Sequence, residues 1–243
     1  MRGSAGTAPV AADGRSRPRR WRPGLLAALL AAALPAAPAP AQVAPPPDDL
    51  AISDVLQIVI TGRDVLALDA RTGGQRSTRL DIDEKVLWSS ARGRVGVVLT
   101  DHRMLAVSTV SASWQEKRWR RAERPPADVV LGARVAVAAS DLRAFGFDGG
   151  SGRIVESGLG PREAVWAVNA GDNVGVVVTD RRALGVSAAT GGFYPVRIRI
   201  DERLDGVSAL ASVLTLTTNE RILIFRAFTR TWEERDRALE DQR

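Results

Sequence analysis

Between residues 48 and 236 the apolar residues come in short runs separated by charged turns, with no sustained helical period. Val95 to Leu99 and Val174 to Val178 are apolar nearly throughout, as strands buried on both faces are. Other runs alternate. Leu66 and Leu68 flank Ala67, Leu105 and Val107 flank Ala106, and Phe145 and Phe147 flank Gly146. Leu184 and Val186 flank Gly185, while Leu223 and Phe225 flank Ile224. Alternation with period two marks a strand with two unlike faces. One face is bulky and the other is small in four of five copies, so something packs closely against the small one.

A short phrase precedes each alternating run. It reads Thr61-Gly62-Arg63-Asp64, Thr100-Asp101-His102-Arg103, Ser140-Asp141-Leu142-Arg143, Thr179-Asp180-Arg181-Arg182 and Thr218-Asn219-Glu220-Arg221. The interval from one copy to the next is constant except between Thr100 and Ser140, where it is longer by a single position. A near-constant period of this length signals a repeat architecture. Gly, Asp or Asn at the second position suits a tight hairpin turn. The phrase therefore joins the buried strand before it to the alternating strand after it. A third strand of mixed polarity follows, as in Trp114 to Arg120 and Tyr194 to Ile200. A fourth precedes each buried strand: Ala51 to Val55, Val86 to Ser90, Asp128 to Gly132, Ala164 to Val168 and Asp205 to Leu210. Four strands per repeat, five times over, predict an all-β five-bladed β-propeller. Its blades span about 48–83, 84–123, 124–162, 163–201 and 202–236. An open β-solenoid is the second architecture to fit. The repeats end in phase with the chain, so ring closure is expected to rest on packing of blade 1 against blade 5.

Val65-Leu66-Ala67-Leu68-Asp69-Ala70-Arg71-Thr72-Gly73-Gly74 resembles the repeat of quinoprotein-type (PQQ-like) propellers, which reads hydrophobic-x-Ala-Leu-Asp-x-x-Thr-Gly. Leu184 to Gly192 and Phe145 to Gly152 are weaker copies, and the pattern is also WD40-like. The resemblance covers the second half of three repeats. It implies a propeller that serves as a protein-docking platform, as many such propellers bind no quinone. No quinone or calcium ligand set maps onto these residues, so no cofactor is expected.

Residues 1–41 stand apart from this pattern. Arg15, Arg17, Arg19, Arg20 and Arg22 precede an unbroken Leu/Ala run from Leu25 to Leu34, and Ala39-Pro40-Ala41 offers a cut before Gln42. That is the layout of a signal peptide, and the run is too short to span a bilayer. Residues 42–47 form a Pro-rich tether and 237–243 a charged tail. The leader holds six arginines and one aspartate of the chain's 34 basic and 28 acidic residues, leaving 28 and 27. The net charge of +6 thus belongs mainly to the leader. A nucleic-acid binder keeps its basic excess in the folded part, so that class is excluded, and an integral membrane protein is not expected. With no cysteine in the chain, disulfides and thiolate metal sites are excluded.

Candidate chemistry is sparse. The one histidine, His102, sits at a phrase position that holds Arg63, Leu142, Arg181 and Glu220 elsewhere, which reads as surface rather than general base. Glu84, Glu163 and Glu202 stand at one fixed spacing ahead of Thr100, Thr179 and Thr218. With Asp101, Asp141, Asp180, Arg103, Arg143, Arg182 and Arg221 they form a candidate charged face at the channel mouth. Such a face can hold a polar ligand, and a glycosidase would need two suitably spaced carboxylates there, one with a raised pKa. Alternatively, Asp caps its turn and Arg pairs with Glu between blades. Lys117, Arg118, Trp119, Arg120 and Arg121 break the repeat and form a candidate binding patch. Trp88 and Trp166 read as core. A lectin would repeat aromatics blade by blade, and Trp114, Phe193 and Trp232 approach this.

The reading these features favour is a non-catalytic, periplasmic or secreted module that docks an envelope protein or glycan. A glycan hydrolase and a lectin are the alternatives. Mass spectrometry of the protein recovered from cells should find Gln42 or a close neighbour at the N-terminus. An intact Met1 terminus would remove the export reading.

Overall fold

The computed structural model describes residues 55–237, which fall within the unit Pro47–Arg243 and lie almost entirely in antiparallel strands or the turns between them. Blade 1 contains β1 (Leu56–Thr61), β2 (Asp64–Asp69) and β3 (Gln75–Arg79). Blade 2 contains β4 (Val86–Arg92), β5 (Val95–Thr100), β6 (Arg103–Ser108) and β7 (Gln115–Arg118). Blade 3 contains β8 (Val129–Leu131), β9 (Val135–Ala139), β10 (Arg143–Asp148) and β11 (Arg153–Gly158). Blade 4 contains β12 (Val165–Ala170), β13 (Val174–Thr179), β14 (Arg182–Ser187) and β15 (Phe193–Arg197). Blade 5 contains β16 (Leu204–Ala209), β17 (Val213–Thr218), β18 (Arg221–Arg226) and β19 (Trp232–Asp236). This is the expected all-β architecture of a five-bladed propeller. The expected signal peptide, the tether, residues 51–54 of the expected first strand of blade 1, and residues 238–243 lie outside the described residues.

Within each blade the strands pair in chain order as simple hairpins. The phrase is the turn of the middle hairpin, pairing Thr61 with Asp64 in blade 1. In the other blades the Thr or Ser hydroxyl accepts the N–H of the phrase's last residue, as Thr100 Oγ1 does from Arg103 at 2.9 Å. The hydroxyl thus satisfies the turn backbone locally. The bulge between Val86 and Trp88 recurs between Val165 and Ala167 and between Leu204 and Gly206.

Blades pack small face against large face. A Cβ added at Gly146 would lie 2.9 Å from Val186 of the next blade, and one at Gly185 3.0 Å from Trp232. Four apolar clusters fill the four boundaries between consecutive blades. Val97, Leu99 and Ala106 of blade 2 meet Phe145 and Phe147 of blade 3. Val176 and Val178 of blade 4 meet Leu216, Leu223 and Phe225 of blade 5. Ala67 meets Leu105 and Val107, and Val137 meets Leu184 and Val186. The hairpins joining the first two strands also touch through backbone. Arg94 N donates to Ala133 O at 2.7 Å, Arg134 N to Asp172 O at 2.7 Å and Asn173 N to Ala211 O at 2.7 Å.

The two terminal faces differ from these boundaries. Leu66 and Leu68 of blade 1, and Ile222 and Ile224 of blade 5, are only half-buried, whereas their counterparts in blades 2 to 4 are buried. Among the described residues no core cluster joins blade 5 to blade 1. Closure through a tightly packed boundary between blades 1 and 5 is therefore not part of the described core. Gln57, Thr215 and Thr217 supply polar groups on these faces where the internal blades carry Gly, Ala, Val or Leu.

These faces set up a contrast in stability. Leu184→Ala, in the middle of a filled boundary, should cost about 2–5 kcal/mol. The equivalent Leu66→Ala on the half-buried face should cost clearly less. Urea denaturation midpoints of the two variants check this, and equal losses would mean the terminal face is packed like an internal one.

Candidate functional site

The charged residues expected at the mouth gather at the end of the blades that carries the phrase hairpins, and most of them are tied to one another. In blade 2, Thr100 Oγ1 donates to Glu84 Oε1 at 2.7 Å. Arg103 donates from Nε to Glu84 Oε1 at 2.8 Å and from Nη2 to Oε2 at 2.9 Å. Arg103 also binds Glu116 on β7 and the carbonyl of Arg79 in blade 1, the latter at 2.8 Å. One guanidinium thus joins the lead-in loop, the phrase, the last strand of the blade and the preceding blade. Blade 5 repeats the arrangement with Glu202, Thr218, Arg221, Glu234 and the carbonyl of Arg197. Blade 4 uses Glu163, Thr179, Arg182 and the carbonyl of Gly158. There Pro195 faces Leu184 where Glu116 faces Leu105, so the second carboxylate is missing and the Arg182 side chain is 30% exposed.

Blade 3 holds a member that the spacing did not show. Glu123 accepts from Ser140 Oγ at 2.6 Å and from Arg143 Nη2 at 2.6 Å. It stands one position further ahead of Ser140 than Glu84 does of Thr100, and the longer step from Thr100 to Ser140 was its only signal. The second phrase residue has a separate task. Asp101, Asp141, Asp180 and Asn219 accept the N–H groups of Lys85, Arg124, Ala164 and Arg203 at 2.8, 3.0, 3.0 and 2.7 Å. Each ties the incoming chain to the phrase turn.

The electrostatics follow from these contacts. Burial pushes the Glu84 carboxyl up, but hydrogen bonds from Arg103, Thr100 and the Asp81 N–H outweigh it and hold the pKa at about 2. Glu123, Glu163 and Glu202 are lowered as well, burial again opposing the bonds from Arg143, Arg182 and Arg221. A general acid needs the opposite shift.

Asp81, Glu84 and His102 bring possible ligand atoms within 4.8 Å of one another. Both Glu84 oxygens already accept hydrogen bonds, and the Arg103 guanidinium beside them repels a cation. The equivalents of Asp81 and His102 in blade 5 are Arg199 and Glu220, which pair at 3.2 Å. With Glu84 already held by Arg103, the trio does not fit a metal site.

The basic patch is divided by the structure. Trp119 packs edge-on against Phe145 at 5.6 Å and donates from Nε1 to Thr100 O at 2.8 Å, closing the boundary between blades 2 and 3. Lys117 reaches Glu156 at 3.7 Å and Arg118 reaches Asp81 at 3.3 Å. Arg120 and Arg121 are exposed. The aromatics considered for a lectin are drawn into blade packing. Trp114 donates to Arg76 O and Trp232 to Tyr194 O, each in the preceding blade, and Phe193 packs on the boundary of blades 3 and 4.

Trp166 departs from the core role expected for it. Trp88 does pack on the boundary of blades 2 and 3, but Trp166 lies one repeat position earlier, at the bulge of β12, and is 42% exposed. Leu87 occupies the same bulge position on β4 and is 54% exposed. A bulge re-aims a side chain out of the ladder. At this end of the blades Ile82, Leu142, Val165 and Ile200 are exposed as well.

Fold and site together define a β-propeller whose blades are braced by buried Glu–Arg pairs, with apolar side chains exposed around them. No family model and no curated protein sequence matches the chain. Solved structures similar to it include yeast RCC1 (Prp20) bound to Kap60, at 10% identity and a TM-score of 0.36, covering 71% of this chain and 56% of that one. Prp20p from Saccharomyces cerevisiae is similar at 11% identity and a TM-score of 0.36, covering 71% and 57%. Apo AztD from Citrobacter koseri is similar at 12% identity and 0.38, covering 74% and 59%. The chain thus spans less than two thirds of each of these structures.

The brace generates a pH prediction. Because the Glu84 pKa is depressed from its ordinary 4.5 to about 2, its stabilisation is complete above about 4.5 and is lost as pH falls toward 2. Melting temperature should fall through that window. Arg103→Met, which strands a buried carboxylate, should cost about 3–5 kcal/mol at neutral pH. Arg182→Met should cost less, because its guanidinium is partly solvated. Denaturant titration of both variants checks the order, and a larger loss in blade 4 would contradict it.

Proposed function

We propose that this chain is an exported, non-catalytic propeller that docks a protein partner of the cell envelope against the phrase-bearing end of its blades. The observation that carries the proposal is the pair of bulges that leave Leu87 and Trp166 exposed at the end of the blades that carries the buried glutamate–arginine pairs. Exposed apolar side chains surrounded by polar ones are the composition of a binding patch. Aromatics in such a patch are the usual energetic anchors. A glycan hydrolase is less well supported, because the four buried glutamates are bound by arginine and lowered in pKa. A glycan partner is the second reading, favoured by Trp166, the one exposed indole among the described residues, which offers a face for a sugar ring.

The test uses the mature protein with a photo-crosslinker at Leu142. A defined envelope protein should be captured, and Trp166→Ala with Leu87→Ser should abolish capture without changing the melting temperature. Undiminished capture by the double variant would overturn the docking face. Turnover of a glycan substrate that Glu163→Gln abolishes would overturn the non-catalytic reading.

A further inference from the structure

The opposite end of the blades holds a cavity of about 160 Å³ spanning blades 2 to 5. It arises where the repeat changes side-chain size. At one turn position between the third and fourth strands of a blade, blades 3 and 4 carry Gly150 and Ala189, while blades 2 and 5 carry Val110 and Phe228. The two small residues leave a depression, and Val110 and Phe228 border it, 57% and 74% exposed. The small size is required in blade 3, since a Cβ at Gly150 would lie 2.4 Å from Ala188 O.

One guanidinium nitrogen of a residue lining this cavity lacks an acceptor. Arg134, from the hairpin joining β8 and β9, lines it, and its Nε is buried without a hydrogen-bond partner. The nearby acids have other partners. Asp148 Oδ1 accepts the N–H groups of Gly150 and Ser151, and Asp172 faces Arg92 at 3.5 Å. By contrast, Arg103, Arg143 and Arg221 at the other end each hold a buried carboxylate. A buried guanidinium N–H without an acceptor is costly, and a planar guanidinium fork suits a carboxylate. The volume admits a group the size of one side chain, Phe228 offers it an apolar neighbour, and Arg94 adds a second basic residue to the lining.

We infer that this cavity binds an organic carboxylate that carries an apolar group, with Arg134 taking the carboxylate and Phe228 flanking the apolar part. The site is at the other end of the blades from the proposed docking face and stands independently of it. The ligand is either a free acid or the acidic side chain of a peptide with an apolar neighbour.

Calorimetric titration of the mature protein distinguishes these. The probes are 3-phenylpropionate, its neutral amide, inorganic phosphate and the dipeptide N-acetyl-Phe-Glu-amide. The acid or the dipeptide should bind at least about tenfold more tightly than the neutral amide and than phosphate. Tighter dipeptide binding assigns a peptide source, and tighter acid binding a free one. Arg134→Gln should remove the binding. Phe228→Ala, an exposed rim change that leaves the fold intact, should weaken it several-fold and keeps the test valid if the Arg134 variant does not fold. Equal binding of acid and amide, phosphate binding as well as the acid, no binding of either acid at millimolar concentration, or binding unchanged in Phe228→Ala would each overturn the inference.

Discussion

Successive blades must approach closely enough for a sheet with a small face to be covered by a sheet with a bulky one. Gly146 and Gly185 leave no room for a Cβ against Val186 and Trp232, and Phe145, Leu184 and Leu223 fill the space from the other side. The close approach also lets one hairpin backbone bond the next, from Arg94 to Ala133, Arg134 to Asp172 and Asn173 to Ala211. Each blade therefore supplies half of two boundaries. The first and last blades keep one face whose partner is not in the described core, and those are the faces where Gln57, Thr215 and Thr217 appear.

The glutamate–arginine brace is built on that packing. A buried ion pair gains little over a well-packed apolar pair, but breaking one is costly. Its value here is directional. Arg103, Arg143 and Arg221 each hold a lead-in glutamate and a carbonyl of the previous blade, which fixes where each blade begins relative to the last. Blade 4 shows how the brace loosens when one component changes. With Pro195 in place of a glutamate, Arg182 loses a partner and becomes partly solvated.

Much of this was legible in the residues because it repeats. The alternating strand, the phrase as a hairpin and the evenly placed glutamates ahead of Thr100, Thr179 and Thr218 all correspond to recurrent physical needs. What was illegible depended on single-residue offsets or on distant neighbours. Glu123 was displaced by one inserted residue. Trp88 and Trp166 differ by one repeat position, and that places one in a boundary and the other at a bulge. Trp119 looks like part of a basic surface stripe until Phe145, in the next blade, is found against its ring. The unanswered N–H of Arg134 can be recognised only when every neighbour's partner is known.

The two ends of the blades use arginine in opposite ways. At the phrase end Arg103, Arg143, Arg182 and Arg221 are each matched by an acid of their own repeat. Beside these buried pairs Leu87, Val165 and Trp166 stay exposed. At the other end the acids Asp148 and Asp172 are engaged away from Arg134 Nε. The turn position that carries Val110 and Phe228 shrinks to Gly150 and Ala189 in the middle blades, and Arg134 lies beside the gap. A feature that recurs in every blade can be maintained by folding alone. A cavity assembled from unlike residues of four blades, with a buried guanidinium N–H that folding leaves without an acceptor, has no such explanation, and it is there that recognition of an outside group is the simpler account.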